Sequence, residues 1–474
     1  MRFLPLFLFL LLAFIIKNSC DSGVKKPVSL EEKLATSYCS SCHLFTPPSL
    51  LDKASWQRVL PIMKEKIELT GKLIPKDDWN NIYHYYYNNA PFNLSRNIVD
   101  TSKMEKVSLN IIDTFSTHLI SPLIISITES ESGDLLFGEL SGKISTVNRD
   151  DSKIESVVTN SIPIQVQPIN ESSNLVLNMG ELGPSHNANG SLLKLDDGEK
   201  TILIDSLHRP IHFSSSDLDK DGNIEYIISH FGSTNDDKET GGLWLYEKDG
   251  QAFSSHQISS YTGASKSIVL DLNKDGIDDI IALFAQGDER IIFFKNEGNM
   301  NFTEKVLLRL HPLYGSLDFI LQDVNLDGKE EIILVNGDNA DYSPVFKPYH
   351  GLRIFEQING IEFQEVVFHP INGAAKILLT KSQNKVVLGV FSLFPNLYSR
   401  PWETLSFIEV DSDFDTKRFY TEDVAGDHWV IASIDKMGNI LLGKNLNIEK
   451  NIPSMRDDPM HQISAIKFSL EMIK

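Results

Sequence analysis

The sequence predicts a multidomain protein in which a small all-α domain precedes an all-β propeller of seven blades. Residues 28–95 carry apolar side chains at helical spacing, whereas from Glu105 onward short β-rich segments are separated by Gly, Asn, Asp and Ser. Within the β-rich part, one acidic loop pattern occurs three times, starting at Asp217, Asp271 and Asp323, which are 54 and 52 residues apart. A repeat near fifty residues, with one small sheet per unit, is typical of a propeller.

The length and charge of the chain restrict its partners. A length of 474 residues fits more than one domain. The chain has 44 Lys and Arg against 64 Asp and Glu, a net charge of −20. Nucleic acid binding needs a basic face, so we expect no nucleic acid partner.

The N-terminus predicts export. Arg2 precedes an almost wholly apolar run, residues 3–16, which is too short to span a bilayer and fits a signal peptide over residues 1–19. Cys20 resembles the lipidated cysteine of a bacterial lipoprotein, followed by a linker over residues 20–27, although Lys17 departs from the usual pattern. The alternative is ordinary cleavage that leaves Cys20 free. We expect an exported protein, lipid-anchored in the periplasm, outer membrane or cell surface of a Gram-negative bacterium.

The segment Cys39-Ser40-Ser41-Cys42-His43 predicts covalent c-type haem. The two thiols add to the vinyl groups of the porphyrin, and the imidazole of His43 becomes the proximal iron ligand. A zinc site would need a second pair of ligands, and the chain has only three cysteines. A redox dithiol would need a βαβ context, which the sequence does not show.

Apolar spacing predicts three helices in residues 28–95, over about 30–41, 54–67 and 77–89. Pro61 is expected to break or kink the second helix, with an irregular turn near Met63. The sulfur of Met63 is the expected sixth iron ligand, which would raise the haem potential. The alternatives are that Met63 only fills the core and that His84 is the sixth ligand.

The three acidic loops predict calcium sites. Oxygen ligands at positions 1, 3, 5 and 9, a backbone carbonyl at position 7 and Gly at position 6 can surround one hard cation. The alternative is an acidic surface turn without an ion. The predicted ligand positions are Asp217, Asp219, Asp221, Asn223 and Glu225; Asp271, Asn273, Asp275, Ile277 and Asp279; and Asp323, Asn325, Asp327, Lys329 and Glu331.

These loops resemble FG-GAP (VCBS) repeats, known from integrin-type propellers and many bacterial exported proteins. Together with the haem motif and the stretch Leu60-Pro61-Ile62-Met63, the chain resembles bacterial exported proteins in which a class I cytochrome c-like domain precedes such a propeller. The resemblance implies a cytochrome c-like haem domain over residues 28–95 and an FG-GAP-type propeller over residues 105–450. Residues 451–474 are then expected to be a C-terminal extension.

The count of seven blades rests on spacing. Residues 120–207 provide two blades without acidic loops, the calcium-type loops mark three, and two decayed blades follow. In the first decayed blade, Thr380, Ser382 and Asn384 take the ligand positions and make a calcium site unlikely to form. Residues 106–115 are expected to add a strand to the last blade and close the ring.

The segment from residue 336 to residue 351 is longer than a hairpin needs. It predicts a docking or substrate surface containing Asp338, Asp341, Tyr349 and His350, since long propeller loops often bind ligands. The alternative is a rigid loop whose polar groups satisfy its own backbone.

Three functions fit these features, and no catalytic motif favours an enzyme. The first is electron transfer to a redox partner protein, with the propeller as a docking module. The second is a periplasmic dehydrogenase that oxidises a small polar substrate in the propeller channel and passes electrons to haem. The third is an integrin-like adhesion or glycan-binding propeller. Because function must be argued from sites, haem and calcium place electron transfer first.

Overall fold

The computed structural model describes residues 28–95, 99, 101–119, 123–151, 153–183, 185–233, 240–339, 343, 345–382, 385–393, 401–424, 429–445 and 461–471. The predicted signal peptide, the linker with Cys20, and Asp341 of the long loop lie outside the described residues. Among the described residues, no helix is long and apolar enough to cross a bilayer.

The helical domain contains three α-helices: α1 (Leu30–Cys39), α2 (Lys53–Leu69) and α3 (Lys76–Asn89). A side-chain oxygen caps the N-terminus of α1 and of α2: Ser29 accepts from the amide of Glu32, and Asp52 accepts from the amide of Ser55. The helices enclose one apolar core, formed by Ala35, Leu51, Trp56, Val59, Leu60, Ile67, Ile74, Ile82, Tyr86 and Ala90.

Pro61 does not break the second helix, so of the two predicted outcomes, a break or a kink, the break is wrong. Helix α2 is continuous through Pro61 and through Met63. Proline removes one backbone donor from the helix. The apolar stripe on either side of Pro61, which includes Trp56, Leu60 and Ile67, is buried in the domain core. We infer that this packing offsets the lost hydrogen bond.

The β-rich part folds into small antiparallel sheets. In chain order, its strands are β1 (Glu105–Lys106), β2 (Ser108–Leu119), β3 (Ile124–Glu129), β4 (Leu135–Glu139), β5 (Lys143–Val147), β6 (Ile154–Val158), β7 (Pro163–Pro168), β8 (Ser173–Asn178), β9 (Gly190–Asp196), β10 (Glu199–Leu207), β11 (Pro210–Ser216), β12 (Glu225–Ser233), β13 (Thr240–Asp249), β14 (Ala252–Ser259), β15 (Ala264–Leu270), β16 (Asp279–Phe284), β17 (Arg290–Asn296), β18 (Phe302–Arg309), β19 (Ser316–Gln322), β20 (Glu331–Asn336), β21 (Gly351–Asn359), β22 (Glu362–Pro370), β23 (Ala374–Ser382), β24 (Lys385–Ser392), β25 (Leu405–Val410), β26 (Thr416–Tyr420), β27 (Trp429–Ile434), β28 (Ile440–Asn445) and β29 (His461–Glu471).

Six blades are each built mainly from consecutive strands of the chain, whereas the repeat spacing in the sequence predicts seven blades. They are formed by β3–β6, β7–β10, β11–β14, β15–β18, β19–β22 and β23–β26, with β1 added in parallel to β26. A further four-stranded sheet is composite, because it joins β2 to β27, β28 and β29. The first strands of these sheets, β3, β7, β11, β15, β19, β23 and β27, contact one another in order, and β27 contacts β3. The sheets therefore form a closed propeller.

The sequence predicts a C-terminal extension over residues 451–474, but residues 461–471 form a strand of the composite sheet. Strand β29, within residues 451–474, pairs with β28 on one side and with β2 on the other. Strand β2 covers most of residues 106–115 and adds to this sheet, as predicted. Pairing both ends of the chain in one sheet removes the exposed edges that an open ring would have.

The propeller has two faces with different loops. Strand β19 begins at Ser316 and ends at Gln322, directly before the third acidic loop. The acidic loops join β11 to β12, β15 to β16 and β19 to β20, so they lie on one face. The turn 310–315 and the loop 337–350 lie at the opposite ends of these strands. We call these two segments the docking face.

Candidate functional site

The haem motif follows directly from the end of α1. Cys39 is the last residue of this helix, and Cys42 and His43 lie in the turn that follows. The chain after the turn is held by two buried hydrogen bonds: the Tyr86 hydroxyl donates to the carbonyl of Thr46 (2.8 Å), and the Trp56 indole donates to the carbonyl of Pro48 (2.8 Å). The motif is therefore fixed at both ends.

The donor set fits a covalent haem. Cys39 and Cys42 are free thiols, the first half-buried against the domain core and the second exposed. The Nδ1 atom of His43 lies 2.8 Å from the carbonyl oxygen of Leu44. A metal-ligating histidine commonly donates its other ring N–H to such a carbonyl, which leaves Nε2 for the metal. Cys39, Cys42 and His43 would hold the haem, which supplies one-electron chemistry when bound.

Burial and nearby charges shift the pKa values of His43 and Cys39. Burial lowers the pKa of His43, the bond to the Leu44 carbonyl opposes this shift, and the charge of Arg309 lowers the pKa further. Burial raises the pKa of the Cys39 thiol. Arg309 belongs to the propeller, so the haem motif lies within the electrostatic reach of the second domain.

The two sixth-ligand candidates from the sequence lie in different surroundings. Met63 is half-buried and packs against the domain core. His84 is exposed, and its charge lowers the pKa of Glu31, after the larger effects of two hydrogen bonds. Glu31 lies in the first turn of α1 and Cys39 at its end, which is about 12 Å along the helix. The structure thus places His84 beside the end of α1 that is remote from the haem motif.

The helical domain sits on the docking face of the propeller. Leu313 and Val345 pack against the helical core. The hydroxyl of Tyr349 donates a hydrogen bond of 2.9 Å to the carbonyl of Leu50. The ring of Tyr349 stacks on Tyr314, with centroids 5.2 Å apart. Apolar packing, an aromatic stack and a hydrogen bond therefore join the two domains.

The contact between the two domains involves residues of the loop 337–350. Tyr349 and His350 are buried, with 9% and 1% of their surface exposed. Asp338 donates its backbone amide to the carbonyl of Gly315 (3.0 Å) and so ties the long loop to the turn 310–315. These positions favour the rigid-loop interpretation for Tyr349 and His350, and the outer surface of this loop is covered by the helical domain at Tyr349.

The three acidic loops share one conformation. The carboxylate at position 1 accepts from the amide of the Gly at position 6, over 3.1 Å in the first loop, 2.8 Å in the second and 2.9 Å in the third. The residue at position 4 has a positive φ in each loop: 61° at Lys220, 59° at Lys274 and 63° at Leu326. In the first loop, oxygens of Asp217, Asp219 and Glu225 lie within 4.8 Å of one another.

Each loop also has a buried carboxylate oxygen without a hydrogen-bond partner. These atoms are Asp217 Oδ1, Asp279 Oδ2 and Glu331 Oε1. The acids at position 9 are almost fully buried, and burial together with the neighbouring acids raises the pKa of Glu225 to about 7, of Asp279 to about 6 and of Glu331 to about 7. Buried acids with unpaired oxygens are stabilised by a cation.

The loops are connected to one another. The ammonium of Lys220 donates to the carbonyl of Gly276 in the second loop (2.9 Å), and that of Lys274 donates to the carbonyl of Gly328 in the third. The third loop has Leu326 at the same position. The loop spacing in the sequence identifies the acidic positions, whereas this link between blades is visible only in the structure.

Sequence analysis missed a charged cluster on the innermost strands. Asp318 on β19 is 4% exposed and binds Lys266 on β15 (2.6 Å) and Lys376 on β23 (3.5 Å). The nearby His212 on β11 is buried, and burial followed by the two lysines lowers its pKa to about 3. The four residues recur at equivalent positions of successive blades, a regularity visible only once the strands are aligned. The cluster joins four blades at the centre of the ring.

Comparison with known proteins supports both domains. The family model described as dihaem cytochrome c matches residues 35–117, and the model described as FG-GAP-like repeat matches residues 271–334. With three cysteines, this chain has one haem attachment motif, at Cys39 and Cys42, and no second one. No curated protein matches the sequence.

Solved structures with a similar outline have low identity. They include a catalytically inactive virginiamycin B lyase from Staphylococcus aureus with quinupristin (13% identity, 75% of this chain and 99% of that chain, TM-score 0.44). The periplasmic gluconolactonase of Pseudomonas aeruginosa has 14% identity over 65% of this chain and 88% of its own, with a TM-score of 0.42. The Pan2 WD40 domain of Neurospora crassa has 9% identity over 77% and 99%, with a TM-score of 0.44. The chain therefore combines a helical region that matches a dihaem cytochrome c model with a β-propeller that contains a match to an FG-GAP-like repeat.

Proposed function

We propose that this protein is an exported c-type cytochrome that transfers electrons, with the propeller as the rigid body that carries its haem domain. The observation that supports this most directly is His43, whose Nδ1 is engaged by the Leu44 carbonyl beside two free thiols. His43 orients a ligand nitrogen, and Cys39 and Cys42 anchor the macrocycle. A haem held by these residues would supply one-electron exchange with a redox partner protein.

The test is a spectrum of the chain expressed with a haem-maturation system. Reduction in alkaline pyridine should give a c-type α band that stays with the denatured polypeptide. The double variant Cys39→Ala/Cys42→Ala should lose this band, while Ser40→Ala/Ser41→Ala should keep it. A folded, colourless wild-type chain would refute the cytochrome function and leave an interaction propeller.

We also propose that the three acidic loops bind calcium, with a structural role. The repeated loop conformation, the buried acids and the unpaired oxygens Asp217 Oδ1, Asp279 Oδ2 and Glu331 Oε1 support it. Oxygen ligands in a flexible loop suit calcium better than magnesium, which needs stricter octahedral geometry. Isothermal titration of the chelated protein with calcium should give saturable binding, and magnesium at the same concentration should not replace it.

Export and the lipid anchor rest on the sequence of the first twenty residues. The covalent haem attachment proposed above would agree with export. Cell fractionation with a Cys20→Ser variant tests the anchor: the wild type should be found with the membrane, and the variant should become soluble after export. Equal membrane association of both proteins would refute lipidation at Cys20.

A further inference from the structure

We propose that His311, on the propeller, is the sixth ligand of the haem iron, so that the haem lies between the two domains. This inference rests on the proposed covalent haem and adds a residue from outside the helical domain. The sequence prediction places the sixth ligand inside that domain, at Met63 or His84.

The first step concerns the surroundings of His43. This residue follows the exposed Cys42 at the surface of the helical domain, yet it is half-buried. Arg309 and His311 of the propeller both interact electrostatically with it. Leu313 and Val345 pack on the helical core next to the motif. His43 therefore lies near the turn 310–315, and we infer that a group bound at its Nε2 atom would meet this turn.

The second step concerns the rigidity of His311. The turn is held by hydrogen bonds from the Leu310 amide to the Glu289 carbonyl (2.8 Å) and from the Tyr314 amide to the His311 carbonyl (2.9 Å). The imidazole of His311 lies 5.7 Å from the ring of Tyr314, which stacks on Tyr349. A histidine on a braced turn is a suitable metal ligand, because little entropy is lost on binding.

The third step concerns the Nδ1 atom of His311. Its Nδ1 atom is buried and has no hydrogen-bond partner. A buried polar atom without a partner costs free energy unless something binds the group, and neutral imidazole is a common ligand of haem iron. By contrast, Met63 has a sufficient role in the core of the helical domain, and His84 lies at the far end of α1.

Nearby charges suit a haem at this interface. Arg309 is held in place by Asp288, with the guanidinium Nε 2.9 Å and an Nη 2.8 Å from its carboxylate oxygens. Arg290 binds the same carboxylate. Two guanidinium groups share the one carboxylate of Asp288, and either could bind an anionic group such as a propionate.

The experiment compares three single variants of the full-length haem protein: His311→Ala, Met63→Leu and His84→Ala. Visible and electron paramagnetic resonance spectra of the ferric protein report the axial ligands. We expect His311→Ala to convert low-spin ferric iron to high spin, and added imidazole to restore the low-spin spectrum. Met63→Leu and His84→Ala should keep the wild-type spectra.

A second variant at the same position tests the inference if His311→Ala fails to fold. His311→Met keeps a ligand at the same place and should raise the reduction potential and introduce the sulfur-to-iron charge-transfer band. Retention of wild-type spectra and potential in both His311 variants would overturn the inference while leaving covalent haem intact, as would a low-spin to high-spin change in Met63→Leu. A wild-type chain without covalent haem would overturn the proposed function as well.

Discussion

The hydroxyl of Tyr349 in the propeller donates a hydrogen bond of 2.9 Å to the carbonyl of Leu50 in the helical domain. The same ring stacks on Tyr314, so one side chain joins the docking face to the segment that follows the haem motif. Tyr349→Phe should keep the stack and lose only the hydrogen bond, which is worth about 0.5–1.5 kcal/mol.

We expect that loss in the free energy of unfolding of the helical domain, measured by denaturant titration followed in the haem absorbance. Tyr246→Phe is the control, because the Tyr246 hydroxyl lies 3.4 Å from His230 Nε2 on the neighbouring strand of its own blade. If both variants unfold the helical domain at the same denaturant concentration as wild type, the contact does not stabilise it.

Removal of ligands from the second acidic loop should destabilise only the calcium-loaded protein. Asp271→Ala/Asp275→Ala removes two proposed ligands. A cation at one hundred times its dissociation constant stabilises by about 2.7 kcal/mol, so the variant should melt at a lower temperature in calcium and show a smaller difference in chelator. Asp249→Ala, an exposed acid in a hairpin turn, is the control. Equal melting curves in both conditions would mean that the loops are turns without an ion.

The calcium-free protein should lose stability as the pH rises from acidic to neutral values. The pKa values of Glu225, Asp279 and Glu331, about 7, 6 and 7, lie above the values near 4 of unfolded carboxyl groups. Their contribution to stability is full below about pH 4 and is lost as the pH rises through 6 to 7.

The melting temperature in chelator should therefore fall between about pH 5 and pH 8. In calcium the fall should vanish, because the ionised carboxylates become ligands. Glu225→Gln should reduce the fall in chelator. Identical pH profiles with and without calcium would contradict this explanation.

Asp318 should be more important for stability than either of its lysine partners. Asp318→Asn leaves Lys266 on β15 and Lys376 on β23 without a carboxylate between them, and loss of one member of a buried ion pair costs on the order of 3 kcal/mol. Lys376→Met is the control, because Lys376 is 44% exposed and its loss preserves the Lys266–Asp318 pair. Denaturant unfolding should rank Asp318→Asn well below Lys376→Met, and the reverse order would show that the cluster does not join the blades.

Removal of residues 451–474 should prevent ring closure. Without β29, strands β2 and β28 lose their shared partner and expose two edges. We expect aggregation in size-exclusion chromatography, whereas removal of residues 472–474 alone should leave a monodisperse protein. A synthetic peptide of residues 461–471 should restore part of the folded population by strand addition. Normal folding of the longer truncation would contradict the composite sheet.

Local patterns explain why much of this molecule can be predicted from sequence. The haem motif, helix α1 and the acidic loops depend on near neighbours in the chain, although α1 ends at Cys39, two residues before the end that the sequence predicts. Pro61 was misjudged because its helix is stabilised by tertiary packing of Trp56 and Ile67, which no local rule includes.

The sequence could not show contacts between residues that are far apart in the chain. Strand β29 pairs with a strand about 350 residues earlier, although its alternation of Ile463, Ala465 and Lys467 was a usable signal. His311 looks like an ordinary loop residue in the sequence, and the sequence includes Tyr349 in a docking surface without showing that its hydroxyl bonds the carbonyl of Leu50.

The composite sheet sets an order of events during biosynthesis. Chain growth delivers the haem motif first and strand β29 last among the described strands, and β2 must wait for β29 before it has a partner. Contacts so distant in sequence form slowly. Cys39 and Cys42 therefore pass through a period in which the docking face is unfinished and a maturation enzyme can reach both thiols. We expect haem attachment in that period, before the pairing of β2 with β29 closes the ring.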